Sequence, residues 1–356
     1  MIKKDMRIMI IAGGTGGHIF SGLAIARYLI SHGVQIKWLG CINRIESKLI
    51  PKYGIDIEYI DISGIIGKKI KIQLTSLIKI IRSFNKSRRI IKLWRPDVVL
   101  GMGGYVSGPV GLAAWSVGIP LVIHEQNAIA GFTNRILKKI STRVLQAFPN
   151  VLSRAEIVGN PIRDEILSLP DPIQRLSYRT GPIRLLVIGG SQGAQVLNKI
   201  IPEAVIGLHD KLNVWHQIGS GGCLEKTRDI YLKYGINHKI VSFIDDIAQA
   251  YAWADLVVCR SGALTVSEIT AVGIAAIFVP FVHLDYHQYW NAISLQRMGA
   301  AEIIKESEFT VERISKIFTC LNRDILLKMA KRSKMFYIAD ATQRIAQILM
   351  SVSSKN

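Results

Sequence analysis

Cysteine is scarce. The four residues Cys41, Cys223, Cys259 and Cys320 stand far apart with no CxxC pair. That spacing excludes a cysteine zinc cluster and a dithiol redox motif, and it fits a reducing compartment. Proline (11) and glycine (30) are unremarkable in 356 residues, which with so few cysteines excludes a collagen-like chain and a disulfide scaffold. No signal peptide is expected, because the apolar run after Lys3, Lys4 and Asp5 is short and enters a glycine loop. Acidic residues are few, 26 against 45 Lys and Arg, leaving a net charge of +19. Apolar residues make up 49%, enough for large cores, so global disorder is excluded and the length predicts two or three domains.

The positive charge is uneven. Residues 1–160 carry 23 basic and 8 acidic side chains, a balance of +15, whereas 161–356 carry 22 and 18. Drift in base composition spreads evenly, so the asymmetry points to a basic face for an anionic partner in the first half. The 26 uncharged residues from Val98 to Ile123 are long enough to span a bilayer. Six glycines with Pro109 and Pro120 interrupt them, which predicts a strand, a glycine turn, a buried helix and another strand.

Arg7–Ala12 is a short apolar run, read as a strand buried on both faces of a parallel sheet. Gly13-Gly14-Thr15-Gly16-Gly17-His18 follows it, then a helical pattern to about Ser31. Val34–Leu39, Asp97–Leu100 and Pro120–His124 read as further strands. The pattern restarts at Arg184–Ile188, which leads into Gly189-Gly190-Ser191-Gln192-Gly193-Ala194 and a helix. Val214–Gln217, Ile240–Ile244, Asp255–Cys259 and Ala275–Val279 read as strands after it. Two strand–glycine loop–helix starts predict an α/β chain of two Rossmann-like, doubly wound domains. The expected boundaries are 1–160 and 161–340, with a helix in 341–356 that packs back on one of the two.

Glycine turns between a buried strand and a helix bring backbone N–H groups to an anion at the helix's positive end. Neither loop fits a dinucleotide fingerprint. The third glycine position falls on Ile19, and the second strand ends Leu39-Gly40-Cys41 with no acidic residue for a ribose. The second loop lacks the GK[ST] ending of a nucleotide-hydrolase P-loop. In the second half, Arg260-Ser261-Gly262 leads into Ala263-Leu264-Thr265-Val266-Ser267-Glu268, a third helix start suited to phosphate. For Glu268 two readings stand: a carboxylate on the hydroxyls of a ribose, or a cap at the helix start. His283 and His287 are spaced like metal ligands but lack an HExxH, so no metal is expected. Gln288 and Asn291 are candidates for reading sugar hydroxyls, or are ordinary surface and capping residues.

Taken together, these stretches resemble the MurG family, the inverting N-acetylglucosaminyltransferases of peptidoglycan synthesis. The resemblance runs from about residue 7 to 350. It rests on Gly13–His18, Gly101-Met102-Gly103-Gly104-Tyr105-Val106-Ser107-Gly108-Pro109 and His124-Glu125-Gln126-Asn127. It rests also on Val158-Gly159-Asn160-Pro161-Ile162-Arg163, Gly189–Ala194, Arg260–Glu268 and Gln288–Ala292. It implies a GT-B fold with two domains facing a central cleft. It also implies transfer of N-acetylglucosamine from UDP-N-acetylglucosamine to the C4 hydroxyl of the muramyl sugar in lipid I, giving lipid II. No metal or other cofactor is implied, and the expected place is the cytoplasmic face of the inner membrane.

Carried over residue by residue, the resemblance assigns uracil to backbone groups of Ile244 and the ribose to Glu268. Ser191 and the helix start Ala263, Leu264, Thr265, Val266 and Ser267 take the diphosphate, with Arg163 adding positive charge. Asn127 and Gln288 take the N-acetylglucosamine, and Thr15, Gly16 and Gly17 the acceptor side. The resemblance departs at Ser21, where proline is expected, and at His287, where glutamine is, so one sugar-side contact is not carried over. For the general base His18 is the candidate, since its unperturbed pKa is near 6.5 and it sits at the glycine loop. Glu125 is its rival, and a purely hydrogen-bonding role for His18 is the alternative.

Between Asp61 and Asp97 no acidic residue occurs, while Lys68, Lys69, Lys71, Lys79, Arg82, Lys86, Arg88, Arg89, Lys92 and Arg95 do. Ile70, Leu74, Leu77, Ile78, Ile81 and Phe84 recur at helical spacing among them. A basic-flanked apolar stripe suits an anionic membrane surface, with core packing as the competing use of the stripe. Two other readings stand beside the transferase. One is a UDP-N-acetylglucosamine 2-epimerase, which needs no acceptor. The other is a basic nucleic-acid-binding protein, against which the lack of aromatic-interleaved basic motifs counts.

Overall fold

The computed structural model describes residues 6–62, 70–282 and 285–354, with the side chains of the Ile70–Trp94 helix described from residue 78 onward. The chain forms two compact units, Met1–Arg163 with Ile338–Asn356, and Asp164–Tyr337.

The first unit is built on seven parallel strands: β1 (Arg7–Ile11), β2 (Gln35–Cys41), β3 (Asp56–Ile60), β4 (Val98–Gly101), β5 (Leu121–Glu125), β6 (Arg143–Gln146) and β7 (Glu156–Ile157). Their order is β3-β2-β1-β4-β5-β6-β7. Because side chains alternate along a strand, β1 feeds two cores. Ile8 and Ile10 join Trp38, Ile19 and Leu23 with Ile345 and Leu349 on one face. Met9 and Ile11 join Leu39, Val99, Ile91, Val106 and Val110 on the other. Helix Gly16–Ser31 and the last helix, Ala341–Ser353, pack together over the first face. Helices Ile70–Trp94 and Gly104–Ser116 pack together over the second. The uncharged Val98–Ile123 segment is thus strand, glycine turn, helix and strand, all folded into one domain. Among the described residues no helix is long and apolar enough to cross a membrane.

The expected apolar stripe on Ile70–Trp94 needs correction where it is described. The face turned to the sheet is Ile80, Phe84, Ile90, Ile91 and Trp94, with Ser83 and Ser87 buried beside them. Phe84 belongs to that core face, whereas Ile78 and Ile81 are exposed on the opposite side. Lys68 and Lys69 lie outside the described residues, as do the side chains of Ile70, Lys71, Leu74 and Leu77.

The second unit has six parallel strands: β8 (Ile183–Ile188), β9 (Leu212–Gln217), β10 (His238–Val241), β11 (Leu256–Cys259), β12 (Ala275–Phe278) and β13 (Ala301–Ile303), ordered β10-β9-β8-β11-β12-β13. The strand expected over Ile240–Ile244 begins and ends earlier. Pairing with β9 stops at Val241, so Ser242, Phe243 and Ile244 form a loop. Asp255, wholly buried at the start of β11, is held by Arg179, by Arg323 (3.2 Å) and by the amide of Arg184 (3.1 Å). Those bonds tie the entry segment and the Arg323–Lys334 helix to the base of the sheet, away from the strands' carboxyl ends.

Candidate active site

In an open parallel sheet, the natural binding position lies beyond the carboxyl ends of the strands, where the strand order reverses. In the first unit that point falls between β1 and β4, and in the second between β8 and β11. The glycine loops follow β1 and β8, and the Arg260-Ser261-Gly262 turn follows β11.

In the first unit, Thr15 precedes the Gly16–Ser31 helix, so Gly16, Gly17 and His18 are its first three residues, with N–H groups ahead of the helical ladder. The Thr15 hydroxyl lies 2.9 Å from His18 Nδ1. Burial pushes the His18 pKa below its ordinary value, while the charge of Glu125 and a hydrogen bond to the Gly13 carbonyl pull it upward. The net shift keeps the imidazole neutral near pH 7, the form that can accept a proton. Its other nitrogen, Nε2, lies against Gly103: a Cβ on that glycine would sit 3.3 Å from His18 Nε2 and 3.3 Å from Asn134 Nδ2. Gly103 also holds φ +89°, where side chains are strained, so the ring has space only because residue 103 is glycine.

Glu125 is differently placed. It is buried at the end of β5, and both oxygens are taken. Oε1 accepts from the amide (3.0 Å) and side chain (3.3 Å) of Asn127, and Oε2 from the amide of Gly131 (3.0 Å) and Asn134 Nδ2 (2.9 Å). A carboxylate with four donors is a loop clamp whose negative charge acts on His18 from a distance. His124 beside it donates from Nε2 to the Gly159 carbonyl (2.9 Å), and burial lowers its pKa to about 4. Arg163 stacks on Phe20, its guanidinium carbon 4.7 Å from the ring centre.

In the second unit, Gly262 caps the Ala263–Val272 helix, and the first ladder bond runs from the Val266 amide to the Gly262 carbonyl (2.9 Å). The amides of Ala263, Leu264 and Thr265 therefore precede the ladder and suit an anion. The Ser267 hydroxyl donates back to the Ala263 carbonyl (2.9 Å). Glu268 lies in the sixth position of the helix, too deep to cap it, and its Oε2 accepts from the buried Tyr251 hydroxyl (3.0 Å). Ser191 is exposed in the loop after β8, its carbonyl accepting from the Ser220 amide (3.1 Å). Ile244 is half-buried in the loop after β10. Gln288 folds its Oε1 back onto the Phe281 amide (2.9 Å), and Asn291 Nδ2 donates to the Ser261 carbonyl (3.1 Å).

Three groups thus gather at the first unit's switch point: His18 with Thr15, the Gly103 backbone, and the Glu125–Asn127–Asn134 cluster. The Ser191 loop and the Ala263–Glu268 helix start sit at the second unit's switch point. Among the described residues no three His, Cys, Asp or Glu side chains are grouped to hold a metal ion. His287 instead bonds Asp285 (2.7 Å), and His283 lies outside the described residues. Gln217, which sequence reasoning treated only as a strand end, is a further buried polar residue beside this site. Its signal was a polar side chain in the last position of a parallel strand, next to the loops.

Comparison with known proteins bears on both units. Residues 8–146 match the glycosyltransferase family 28 N-terminal domain, and residues 184–345 its C-terminal domain. A protein of Sodalis glossinidius (strain morsitans) named UDP-N-acetylglucosamine--N-acetylmuramyl-(pentapeptide) pyrophosphoryl-undecaprenol N-acetylglucosamine transferase is 55% identical over 98% of this chain and 98% of its own. The same name belongs to a Klebsiella pneumoniae (strain 342) protein that is 53% identical over 99% of both chains. The crystal structure of Acinetobacter baumannii MurG superposes with a TM-score of 0.85 at 38% identity, covering 97% of this chain and 99% of that one.

Proposed function

The chain belongs to glycosyltransferase family 28, and from that membership we propose that it moves N-acetylglucosamine from UDP-N-acetylglucosamine to lipid I, forming lipid II for peptidoglycan. The observation that carries this reading is full-length identity of 55% to a transferase named for that donor and acceptor. The helix start at Ala263–Thr265 beside the glycine loop after β8 supplies the matching chemistry, a cradle of N–H groups for a diphosphate.

In this reading the acceptor C4 hydroxyl attacks C1 of the donor sugar in line as UDP leaves, which inverts an α-linkage to a β-linkage. His18 takes the hydroxyl proton. Glu125 favours protonation of that imidazole through its charge and does not itself act as the base, because its oxygens are occupied. The amides of Ala263–Val266, the Ser191 and Ser267 region and Arg163 meet the charge that grows on the diphosphate. Glu268, held by Tyr251, accepts from the ribose, and backbone groups of Ile244 read uracil. Asn127 and Gln288 contact the N-acetylglucosamine, while Thr15, Gly16 and Gly17 face the acceptor.

Transfer of labelled sugar from UDP-N-acetylglucosamine to a lipid I analogue tests the reading, run with and without a chelator. The expected result is a disaccharide product at equal rates in both. Conversion of the donor when no acceptor is present, with no transfer, favours the epimerase reading instead.

Lipid I is membrane-borne, so the first unit is assigned the membrane contact, at the cytoplasmic face of the inner membrane. Ile78 and Ile81 are about half exposed on the outer side of the Ile70–Trp94 helix, next to the exposed Arg82, Lys86 and Arg89. Trp115 on the packed neighbour helix is 57% exposed. Apolar side chains with basic neighbours suit an anionic lipid surface, each basic residue adding about 1 kcal/mol. Reversing Arg82, Lys86 and Arg89 to glutamate is expected to weaken binding to anionic vesicles by roughly 100-fold or more at low salt, leaving UDP affinity intact. Sedimentation with vesicles and a parallel UDP titration decide it; equal loss in both measurements rejects the surface.

A further inference from the structure

Gln217 is the last residue of β9 and is 3% exposed. Its amide makes three hydrogen bonds, all to backbone. Oε1 accepts from the Gly190 amide (3.1 Å), while Nε2 donates to the Gly190 carbonyl (2.9 Å) and to the Ser242 carbonyl (2.9 Å). Two carbonyls and one N–H fix which end of the amide is nitrogen. Only a primary amide both accepts and donates twice from one planar group. Glutamate in its place would turn a carboxylate onto two carbonyl oxygens.

The partners matter by what adjoins them. Gly190 precedes Ser191 in the loop assigned to the diphosphate, and Ser242 stands two residues before Ile244 in the loop assigned to uracil. One side chain therefore spans the loops for the two ends of a nucleoside diphosphate. The rest of the loop lies against the Ile218–Gly221 segment, where the amide (3.1 Å) and hydroxyl (3.2 Å) of Ser220 both donate to the Ser191 carbonyl. A Cβ on Gly193 would lie 2.1 Å from the Ile218 carbonyl oxygen, and one on Gly219 2.0 Å from the Gly193 nitrogen. Gly190 itself has φ +82° and open space around its Cβ direction; the Gly193 amide bonds its carbonyl within the loop (2.9 Å), and the Gln217 amide is the side chain that ties both its N–H and its carbonyl to β9.

We propose that Gln217 is a positioning residue for the nucleotide donor, setting the distance between the diphosphate loop and the base loop so that both ends of UDP are engaged at once. The inference rests on the donor reading above and deepens it. It makes a specific demand: losing the amide should weaken the contribution of the diphosphate far more than that of the nucleoside, because uridine needs only one of the two loops.

The test is calorimetric titration of the full chain, wild type and Gln217→Met, with uridine and with UDP. Methionine keeps the length and apolar stem and removes all three bonds. Uridine affinity is expected to change little, and UDP affinity to fall about 10- to 100-fold, the scale of losing one hydrogen bond to a charged phosphate. Equal losses for the two ligands would mean a merely structural role and overturn the inference, as would a folded variant with unchanged UDP affinity. Wild-type protein that binds no UDP overturns the donor reading and this inference together. Should Gln217→Met not fold, hydrogen exchange at the Gly190 amide in wild-type protein decides: protection without nucleotide, deepened by UDP and not by uridine, is expected, and exchange as fast as in a free loop overturns the proposal.

Discussion

Replacing His18 with alanine is expected to lower turnover with saturating acceptor by about 10²–10⁴-fold, the range for loss of a general base, while UDP binding is unchanged. The geometry supports this effect at His18 rather than at Glu125. Burial lowers the His18 pKa, so the ring is neutral at working pH, and the ring packs against Gly103, a fit possible because that position has no side chain. The wild-type enzyme should then show an acid limb in its pH–rate profile below pH 6.5 that vanishes in the His18→Ala variant. Glu125→Gln should instead act through loop order: it keeps a hydrogen-bonding group for Asn127 and Asn134 but removes the charge that opposes the lowering of the His18 pKa, so the acid limb moves to lower pH. Steady-state kinetics from pH 5 to 8 on the three proteins decide. Near-normal turnover of His18→Ala rejects the assignment.

A second large effect concerns acid stability. Burial pushes His216 down to about 3 and His124, with opposing contributions from Gly159 and Glu125, down to about 4. The His216 ring is already bonded at both nitrogens: Nε2 faces Asn198 Oδ1 (3.2 Å) and Nδ1 the Tyr231 hydroxyl (2.9 Å), and Asn198 Nδ2 is committed to the Ile218 carbonyl (2.9 Å). Both histidines take a proton near pH 6.5 once unfolded but stay neutral in the fold. The unfolded chain therefore binds more protons below pH 6.5, and stability present above that value is lost as pH falls toward the folded pKa. Each pKa unit is about 1.4 kcal/mol, so His216 alone is expected to cost the second unit roughly 2 kcal/mol between pH 7 and pH 5. Carboxylates contribute little in that window. Urea unfolding of wild type and His216→Gln at pH 7 and pH 5 checks it. The variant is less stable at pH 7 but should have a smaller pH slope; an unchanged slope rejects the account.

The parts of this architecture that could be read in advance are those where burial on both faces leaves a continuous apolar run. β1, β4, β5, β8, β11 and β12 are of this kind, interior in their sheets, and a glycine stands within two residues after β1, β4 and β8. Edge strands carry no such run. β3 reads Asp-Ile-Glu-Tyr-Ile and β13 only Ala-Glu-Ile, so half-exposed positions hide them among loop sequence. The misplaced end of β10 has the same origin, since Phe243 and Ile244 look like strand residues but have no partner after Val241, and Phe243 is 54% exposed. On Ile70–Trp94, isoleucines occur on both sides of the helix, and spacing alone does not say which side the sheet takes.

Loops with a backbone-dictated shape were legible as glycine clusters before helices. The side chains that hold those loops were not. The bonding of Glu125 to four donors, of Tyr251 to Glu268 and of Gln217 to Gly190 and Ser242 spans up to 27 residues of sequence, and nothing local announces it.

The final helix has a consequence for biosynthesis. Ile345, Leu349 and Val352 complete the core shared by Ile8, Ile10 and Leu23, so the first unit lacks part of its interior until residues 341–353 have been made. Residues 164–337 emerge as one uninterrupted stretch and can close on their own, whereas the earlier-synthesised half must wait at the ribosome with an apolar groove uncovered. A chain stopped before residue 341 would leave that groove bare for good, a target for chaperones and proteases, even though every strand and both switch-point loops were present.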